Sequence, residues 1–210
     1  MNQPSLQARY NSVFKRSFER HIDLFLTTQF LEWGHLSEAS TDAYRAFEPT
    51  STHWSNYLRS HQAKSLDAVI AGGFSVGDLD MAIKGWWARE KNALDPYRTV
   101  HVEREFCISL AEFQALFAHS GHELACAYCH ITEAQFKQLV DRGQVQTKRL
   151  RTRGTTFELD CRVPELGYKA GNVVVCCYWC NNAKSDEFSP EEFQPVADAL
   201  ARVWRERLGN

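Results

Sequence analysis

The stretch that decides the fold is CCYWCNNAKSDEF, residues 176–188, in which three cysteines stand beside two aromatic residues, two asparagines and a lysine. Cys177 and Cys180 form one Cys-X-X-Cys pair, and Cys126-Ala-Tyr-Cys129 forms a second. A spacing of two residues lets one tight turn direct both sulfurs at one ion, and four thiolates complete a tetrahedral zinc site. We therefore predict a closed, structural Zn²⁺ site at these four cysteines.

The remaining composition favours metal binding over other uses of cysteine. The first residues contain no basic segment followed by an apolar run, as a signal peptide would. No stretch approaches the roughly 20 apolar residues of a membrane span. We expect a cytoplasmic protein without membrane association, in which Cys-X-X-Cys pairs hold metals or do redox chemistry. The redox alternative usually accompanies a thioredoxin-like βαβ pattern, which this sequence lacks, and Cys107 is expected in the core.

The first hundred residues are predicted to be mainly helical. Apolar residues recur at helical spacing near the start of the chain, at Val13, Phe14, Phe18, Ile22, Phe25 and Phe30. A second helix is predicted over 75–92, with Pro96 beyond its end. The composition changes near residues 93–97, so we place a helical region of unknown role at 1–100 and a second domain at 101–210.

The second half mixes short helices and strands. A Ser109/Glu112 capping box predicts a helix to about residue 118, and Gly143 ends a helix predicted over 132–142. Strands are predicted over 155–160 and 172–177. The last helix begins after Ser189, and its predicted apolar face comprises Phe193, Val196, Ala197, Leu200, Val203 and Trp204.

The segment FELDCRVPELGYKAGNVVVCCYWCNNAKSDEFSPEEF, residues 157–193, resembles the ββα-metal core of the HNH endonuclease superfamily. The matching features are an aspartate that ends the first strand, a Gly-Tyr turn, an asparagine that opens the second strand, Cys-X-X-Cys-Asn and a lysine just after it. The upstream CAYCHITEAQF resembles the other half of the zinc-bound variants. The resemblance, over about residues 105–195, implies an α+β fold: a mainly helical N-terminal region and a C-terminal zinc-stapled, treble-clef-like ββα-metal domain.

The resemblance also implies a function: a metal-dependent DNA endonuclease that hydrolyses phosphodiester bonds. Asp160 and Asn181 would hold the catalytic Mg²⁺ or Mn²⁺, because carboxylate and amide oxygens suit a hard cation. Asn172 would pin the loop and orient the base, and Lys184 would contact phosphate. Such domains recur in restriction, phage-defence and mobile-element systems.

One residue departs from the family pattern. The family usually has histidine, as the general base, directly after the aspartate, and this chain has Cys161, with no histidine after His130. Three alternatives stay open. Another residue acts as base, for which His101, His119, His122 and His130 are candidates. Cys161 itself acts, as a thiolate beside Arg162. Or the site is weakened or inactive, whether Cys161 is natural or a substitution.

Local charge favours a polyanionic partner. The chain carries a net charge of −2, yet residues 142–184 hold eight lysines and arginines against three acids. Lys148, Arg149, Arg151, Arg153 and Arg162 are the predicted nucleic-acid contacts, which would bind phosphates without reading sequence. The resemblance implies DNA, and the charge pattern does not distinguish DNA from RNA. It leaves the target sequence and the oligomeric state open, and a protein partner or self-association would involve residues 1–100.

A second class of function competes with the nuclease. A chain that keeps the zinc fold and has lost catalysis would be a nucleic-acid-binding or protein-interaction module, and Cys161 favours that alternative. Asp160, Asn172 and Asn181 favour the active enzyme, because an inactive site has little reason to keep three polar residues in register.

Overall fold

The computed structural model describes residues 5–118, 123–145 and 157–209. The chain divides into two compact units, Met1–Phe106 and Cys107–Asn210. Helices predominate, and one small antiparallel sheet lies in the second unit, consistent with the predicted α+β class. None of the helices in the three described ranges is both long enough and apolar enough to traverse a bilayer.

The first unit is helical throughout its regular structure. Its helices are α1 Leu6–Trp33, α2 Thr41–Ala46, α3 Ser51–Gln62, α4 Val76–Glu90 and α5 Asp95–Arg104. Hydroxyl side chains at Ser5, Ser40, Thr50 and Ser75 cap the first four, which satisfies amides that have no partner within the helix. Pro96 lies in the first turn of α5, where its missing N–H costs nothing. Helix α5 therefore starts before residue 100 and continues past it. The two units divide six residues after residue 100, between Phe106 and Cys107.

The long helix α1 forms the centre of this unit. Phe18, Ile22, Phe25 and Phe30 are buried, as the helical spacing predicts. Trp86 of α4 is also buried and donates its indole N–H to the Ala39 carbonyl oxygen (3.3 Å). The predicted helices α1 and α4 are therefore confirmed, with the aromatic residues in the core.

A polar network crosses this aromatic core. The Tyr44 hydroxyl lies 2.9 Å from His21 Nδ1 and 3.2 Å from His101 Nδ1, and His101 Nε2 lies 3.1 Å from Ser17 Oγ. His101 is fully buried and His21 nearly so. Burial is the main reason that the pKa of His21 is lowered to about 4 and the pKa of His101 to about 3. Both rings are therefore neutral at physiological pH.

The second unit surrounds a short hairpin with helices. Its elements are α6 Leu110–Phe117, α7 Glu133–Asp141, β1 Glu158–Cys161, β2 Val173–Cys176, α8 Tyr178–Lys184 and α9 Pro190–Leu208. The two strands pair antiparallel, with Asp160 opposite Val174. Capping boxes at Ser109, Thr132 and Ser189 start α6, α7 and α9. The order hairpin then helix is the ββα arrangement that positions the site.

Two expectations about burial are wrong. Cys107 is exposed rather than in the core. In α9, Phe193, Ala197 and Trp204 are buried, but the side chains of Val196 and Val203 are exposed. The buried face of α9 is therefore narrower than its apolar residues indicate.

Candidate functional site

Four cysteine side chains meet in the second unit. The sulfurs of Cys126, Cys129, Cys177 and Cys180 all lie within 4.8 Å of one another, and all four residues are buried; we call this group the four-cysteine cluster. The sulfurs of Cys129 and Cys177 are 3.7 Å apart. A tetrahedral ion with Zn–S bonds of about 2.3 Å separates neighbouring sulfurs by about 3.8 Å. The cluster has the residues and spacing to hold a metal ion such as zinc, and its sulfurs are not joined as disulfides.

The four thiols of the cluster shift one another's pKa values. Hydrogen bonds from the neighbouring thiols lower the pKa of Cys126 far below its ordinary value. The hydrogen bond to Cys126 is the largest cause that raises the pKa of Cys177 and that of Cys180. The pKa of Cys129 is lowered as well, because the hydrogen bond with Cys126 raises it but those with Cys177 and Cys180 lower it by more. The thiolate form is thus favoured at both cysteines of the first turn and disfavoured at both cysteines of the second. Four thiolates this close need a cation between them.

Main-chain contacts bring the two Cys-X-X-Cys turns together. The Ala127 amide donates to the Val175 carbonyl oxygen of β2 (3.0 Å), which attaches the first turn to the hairpin. The Cys126 amide donates to the Ile131 carbonyl oxygen (2.9 Å), and His130 closes the turn with a positive φ of 60°. The second turn follows β2 directly and opens α8 with Cys177 as its N-cap.

Asp160 is buried and contacts the first Cys-X-X-Cys turn through Tyr128. Its Oδ2 accepts a hydrogen bond from the Tyr128 hydroxyl and lies 3.4 Å from Lys184 Nζ. Burial raises the pKa of Asp160, and the contacts from Tyr128 and Lys184 oppose that rise. The carboxylate is therefore enclosed among groups that hold it in one place.

Lys184 takes a different position from the one predicted. Its side chain is fully buried, and Nζ donates to the Cys161 and Ser185 carbonyl oxygens at 3.2 and 3.3 Å. The expected phosphate contact does not fit an ammonium group enclosed in this way. A buried lysine needs a counter-charge, and Asp160 supplies it.

Asn181 contacts a residue that the sequence analysis did not select. Its Nδ2 donates to Glu158 Oε2 (2.5 Å). Alternate residues of a strand share a face, so Glu158 and Asp160 lie on the same side of β1. Helix α8 contacts this face twice, through Asn181 at Glu158 and through Lys184 at Asp160. The structure thus places two carboxylates and an amide on one side of the hairpin.

Asn172 fastens the loop between the strands. Its Oδ1 accepts from the Val163 amide (3.1 Å), and its Nδ2 donates to the Val163 and Gly167 carbonyl oxygens at 2.9 and 2.8 Å. The same Nδ2 lies 3.2 Å from Cys161 Sγ, and that thiol donates to the Gly167 carbonyl oxygen (3.1 Å). Cys161 is buried within this network, on the strand face opposite Asp160.

Replacing Asn172 with alanine is expected to destabilise the second unit by about 2–3 kcal/mol, because buried backbone groups of the loop lose their partners. Urea unfolding of the zinc-loaded chain, followed by peptide-resolved hydrogen exchange across β1 and β2, measures the loss. Asn182→Ala is the control, because Asn182 is exposed and its side-chain amide donates to the Tyr178 carbonyl oxygen within α8. Equal stability of the two variants would contradict the role of Asn172 in the loop.

The candidate histidine bases differ in position. His101 is enclosed in the core of the first unit, where Ser17 and Tyr44 occupy its ring nitrogens, so it is unsuited to act as a base. His130 is exposed and directly follows Cys129. His119 and His122 lie outside the described residues.

The predicted basic contacts are only partly described. Lys148, Arg149, Arg151 and Arg153 lie outside the described residues, and Arg162 is exposed at the end of β1. The aromatic residues of the turns pack within the unit: Tyr128 meets Phe193 edge-to-face, and the rings of Trp179 and Trp204 are 6.0 Å apart.

Sequence reasoning missed two participants, Glu158 and the Tyr128 hydroxyl. Glu158 was recognisable in principle, because it stands two residues before Asp160 on a strand and must share its face. No local pattern indicates the hydrogen bond from Tyr128 to Asp160, which joins residues 32 positions apart.

Among solved structures, the rare-cutting HNH restriction endonuclease PacI is similar to this chain. The similarity has a TM-score of 0.40 and 21% sequence identity, over 69% of this chain and 90% of that one. No family model and no curated protein matches the sequence.

Proposed function

We propose that the second unit is a metal-dependent endonuclease of the HNH type that hydrolyses phosphodiester bonds in DNA. The observation that carries the proposal is Asp160: a buried carboxylate in a hairpin strand, bonded to Tyr128 of the first Cys-X-X-Cys turn and to Lys184 of the helix that begins with Cys-X-X-Cys-Asn. The order of these residues is the one on which the sequence resemblance rests.

Two metals fit the residues present. The four-cysteine cluster offers four sulfurs, which suit a structural Zn²⁺. Glu158, Asp160 and Asn181 offer carboxylate and amide oxygens on one face of the hairpin, which suit Mg²⁺ or Mn²⁺. A hard cation bound there supplies charge that stabilises the phosphate and its leaving oxygen.

The remaining residues prepare the site for that chemistry. Lys184 pairs with Asp160 from within the protein and so opposes the rise in the pKa of that carboxyl that burial causes. Asn172 fixes the loop that follows Cys161 at the end of β1. Arg162 and the basic segment Lys148, Arg149, Arg151 and Arg153 would hold DNA by its phosphates.

Nicking of supercoiled plasmid in Mg²⁺ or Mn²⁺ tests the proposal. Asp160→Asn is expected to lower the nicking rate at least about 100-fold, because the cation loses a charged ligand. Asp198→Asn, an exposed acid on α9, is the matched control and is expected to cut like the unaltered chain. Zinc content of one ion per chain in each variant shows that the fold is retained. Cutting by Asp160→Asn at the control rate would overturn the metal assignment.

A second candidate function is favoured by the thiol of Cys161, which is buried and bonded to Gly167 where the family has its base. In that case the unit binds nucleic acid or protein without cutting. Cys161→His distinguishes the two, because restoring a general base is expected to raise the nicking rate about 10²–10⁴-fold if the rest of the site is competent. Retarded DNA on a gel, with no nicking by either the unaltered chain or Cys161→His, would favour the binding module.

A further inference from the structure

The first Cys-X-X-Cys turn carries a side chain that reaches the proposed catalytic carboxylate. Tyr128 lies between Cys126 and Cys129, and its hydroxyl donates a hydrogen bond to Asp160 Oδ2. The phenol ring is buried, with 4% of the residue exposed. The backbone of Tyr128 is thus part of the first Cys-X-X-Cys turn, and its side chain contacts the proposed cation site at Asp160.

The position of that hydroxyl is fixed from several directions. The turn is attached to β2 by the Ala127 amide, and its two cysteines belong to the four-cysteine cluster. The ring meets Phe193 edge-to-face, with centroids 5.4 Å apart and an interplanar angle of 87°. A tyrosine side chain has only two rotatable bonds, so these contacts determine where the hydroxyl lies.

Lys184 contacts the same oxygen of Asp160, but it does a different job. Its Nζ is 3.4 Å from Oδ2 and also donates to the Cys161 and Ser185 carbonyl oxygens. An ammonium group on a flexible stem supplies charge, whereas the phenol supplies a fixed direction. The two contacts on Oδ2 hold the carboxylate in one orientation. Oδ1 is then the oxygen that would bind the cation.

We propose that Tyr128 is a positioning residue, whose hydroxyl orients the Asp160 carboxylate for the hard cation and so makes that site depend on the four-cysteine cluster. This inference rests on the proposed function, because it assumes that Asp160 is a cation ligand. The first Cys-X-X-Cys turn then has two roles. Its cysteines supply two ligands to the four-cysteine cluster, and its tyrosine sets the geometry of the site where phosphate is cut.

The test uses Tyr128→Phe in the full, zinc-loaded chain. This change removes the hydroxyl and keeps the ring against Phe193. The matched control is Tyr178→Phe in the second Cys-X-X-Cys turn, because the ring of Tyr178 packs on that of Trp179 (centroids 5.7 Å apart).

Mn²⁺ binding is measured by electron paramagnetic resonance, and zinc per chain by elemental analysis. Tyr128→Phe is expected to weaken Mn²⁺ binding about tenfold with zinc unchanged, the size of effect expected for a hydrogen bond to a charged group. Tyr178→Phe is expected to bind Mn²⁺ like the unaltered chain.

Asp160→Asn separates failure of this inference from failure of the proposed function. If Asp160→Asn binds Mn²⁺ like the unaltered chain, Asp160 is not a ligand and the proposed function fails. If Asp160→Asn loses Mn²⁺ while Tyr128→Phe keeps full affinity, the proposed function stands and the role of Tyr128 is overturned. Loss of zinc from Tyr128→Phe would also overturn it, because the hydroxyl would then be structural.

Discussion

Removal of the metal ion proposed for the four-cysteine cluster, or replacement of Cys180 by alanine, is expected to unfold the second unit while the first unit stays folded. The hairpin consists of two four-residue strands, and a two-stranded sheet is marginally stable at best by itself. The four-cysteine cluster joins the turn before α7 to the turn that opens α8, so it closes the loop of the chain that contains the hairpin.

The expected loss is large in energy. Structural zinc sites contribute on the order of 10–16 kcal/mol of apparent binding free energy. That exceeds the roughly 5–15 kcal/mol by which a domain is typically stable. Without the ion, the four thiols would lie buried side by side with nothing to hold them together.

Peptide-resolved hydrogen exchange of the full chain, with and without a chelator, measures this result. Amides of β1 and β2 are expected to lose protection on chelation, and those of α1 to keep it. Cys107→Ala is the matched control, because Cys107 belongs to the same unit, is exposed and lies outside the cluster. Protected β1 and β2 amides in the metal-free chain would contradict a structural role for the ion.

Acidification from pH 6.5 to pH 5 is expected to destabilise the first unit by about 3 kcal/mol, through His21 and His101. The pKa of His21 is lowered to about 4 and that of His101 to about 3, against about 6.5 in the unfolded chain. Below pH 6.5 the unfolded chain therefore takes up protons that the folded chain excludes. Each histidine reduces stability by about 1.4 kcal/mol per pH unit until the folded pKa is reached.

The surroundings of His21 explain the sign. Glu105 Oε1 lies 3.7 Å from His21 Nε2 and would favour the charged ring. Burial and the nearby Arg104 and Arg20 oppose it, and burial is the largest of these effects. The neutral ring therefore prevails in the folded state.

Urea titrations at pH 7, 6 and 5, read by pulsed hydrogen exchange of α1 and α5, give the pH slope of this unit. His101→Gln is expected to reduce the slope by about half, whatever its effect on stability at pH 7. His35→Gln, at an exposed histidine, is expected to leave the slope unchanged. A slope that survives in His101→Gln would show that other groups titrate.

Local signals predicted most of the regular structure. Helical spacing located α1 and α4, the capping box at Ser109 located the start of α6, Ser189 located the start of α9, and the paired cysteines form the predicted cluster. The helices and their starts depend on residues within a few positions of each other. The cluster was predictable because closely paired cysteines have few roles other than metal binding or redox chemistry.

Features that depend on distant contacts were not predicted. The burial of Lys184 follows from its ion pair with Asp160, 24 positions earlier, and nothing in the spacing of the lysine reveals which side of α8 is enclosed. The exposed Val196 and Val203 of α9 show the same limit, because an apolar side chain is buried only where another element covers it. Helix α5 was not predicted, because Pro96, which lies beyond the end of α4 as expected, also stands in the first turn of a new helix.

The division of the chain into two compact units also bears on how it can change over generations. A buried substitution in one unit is expected to act first on the packing of that unit. If Asp160 serves the proposed cleavage, its exchange for a neutral residue would end that cleavage and would leave unchanged the side chains that pack around α1.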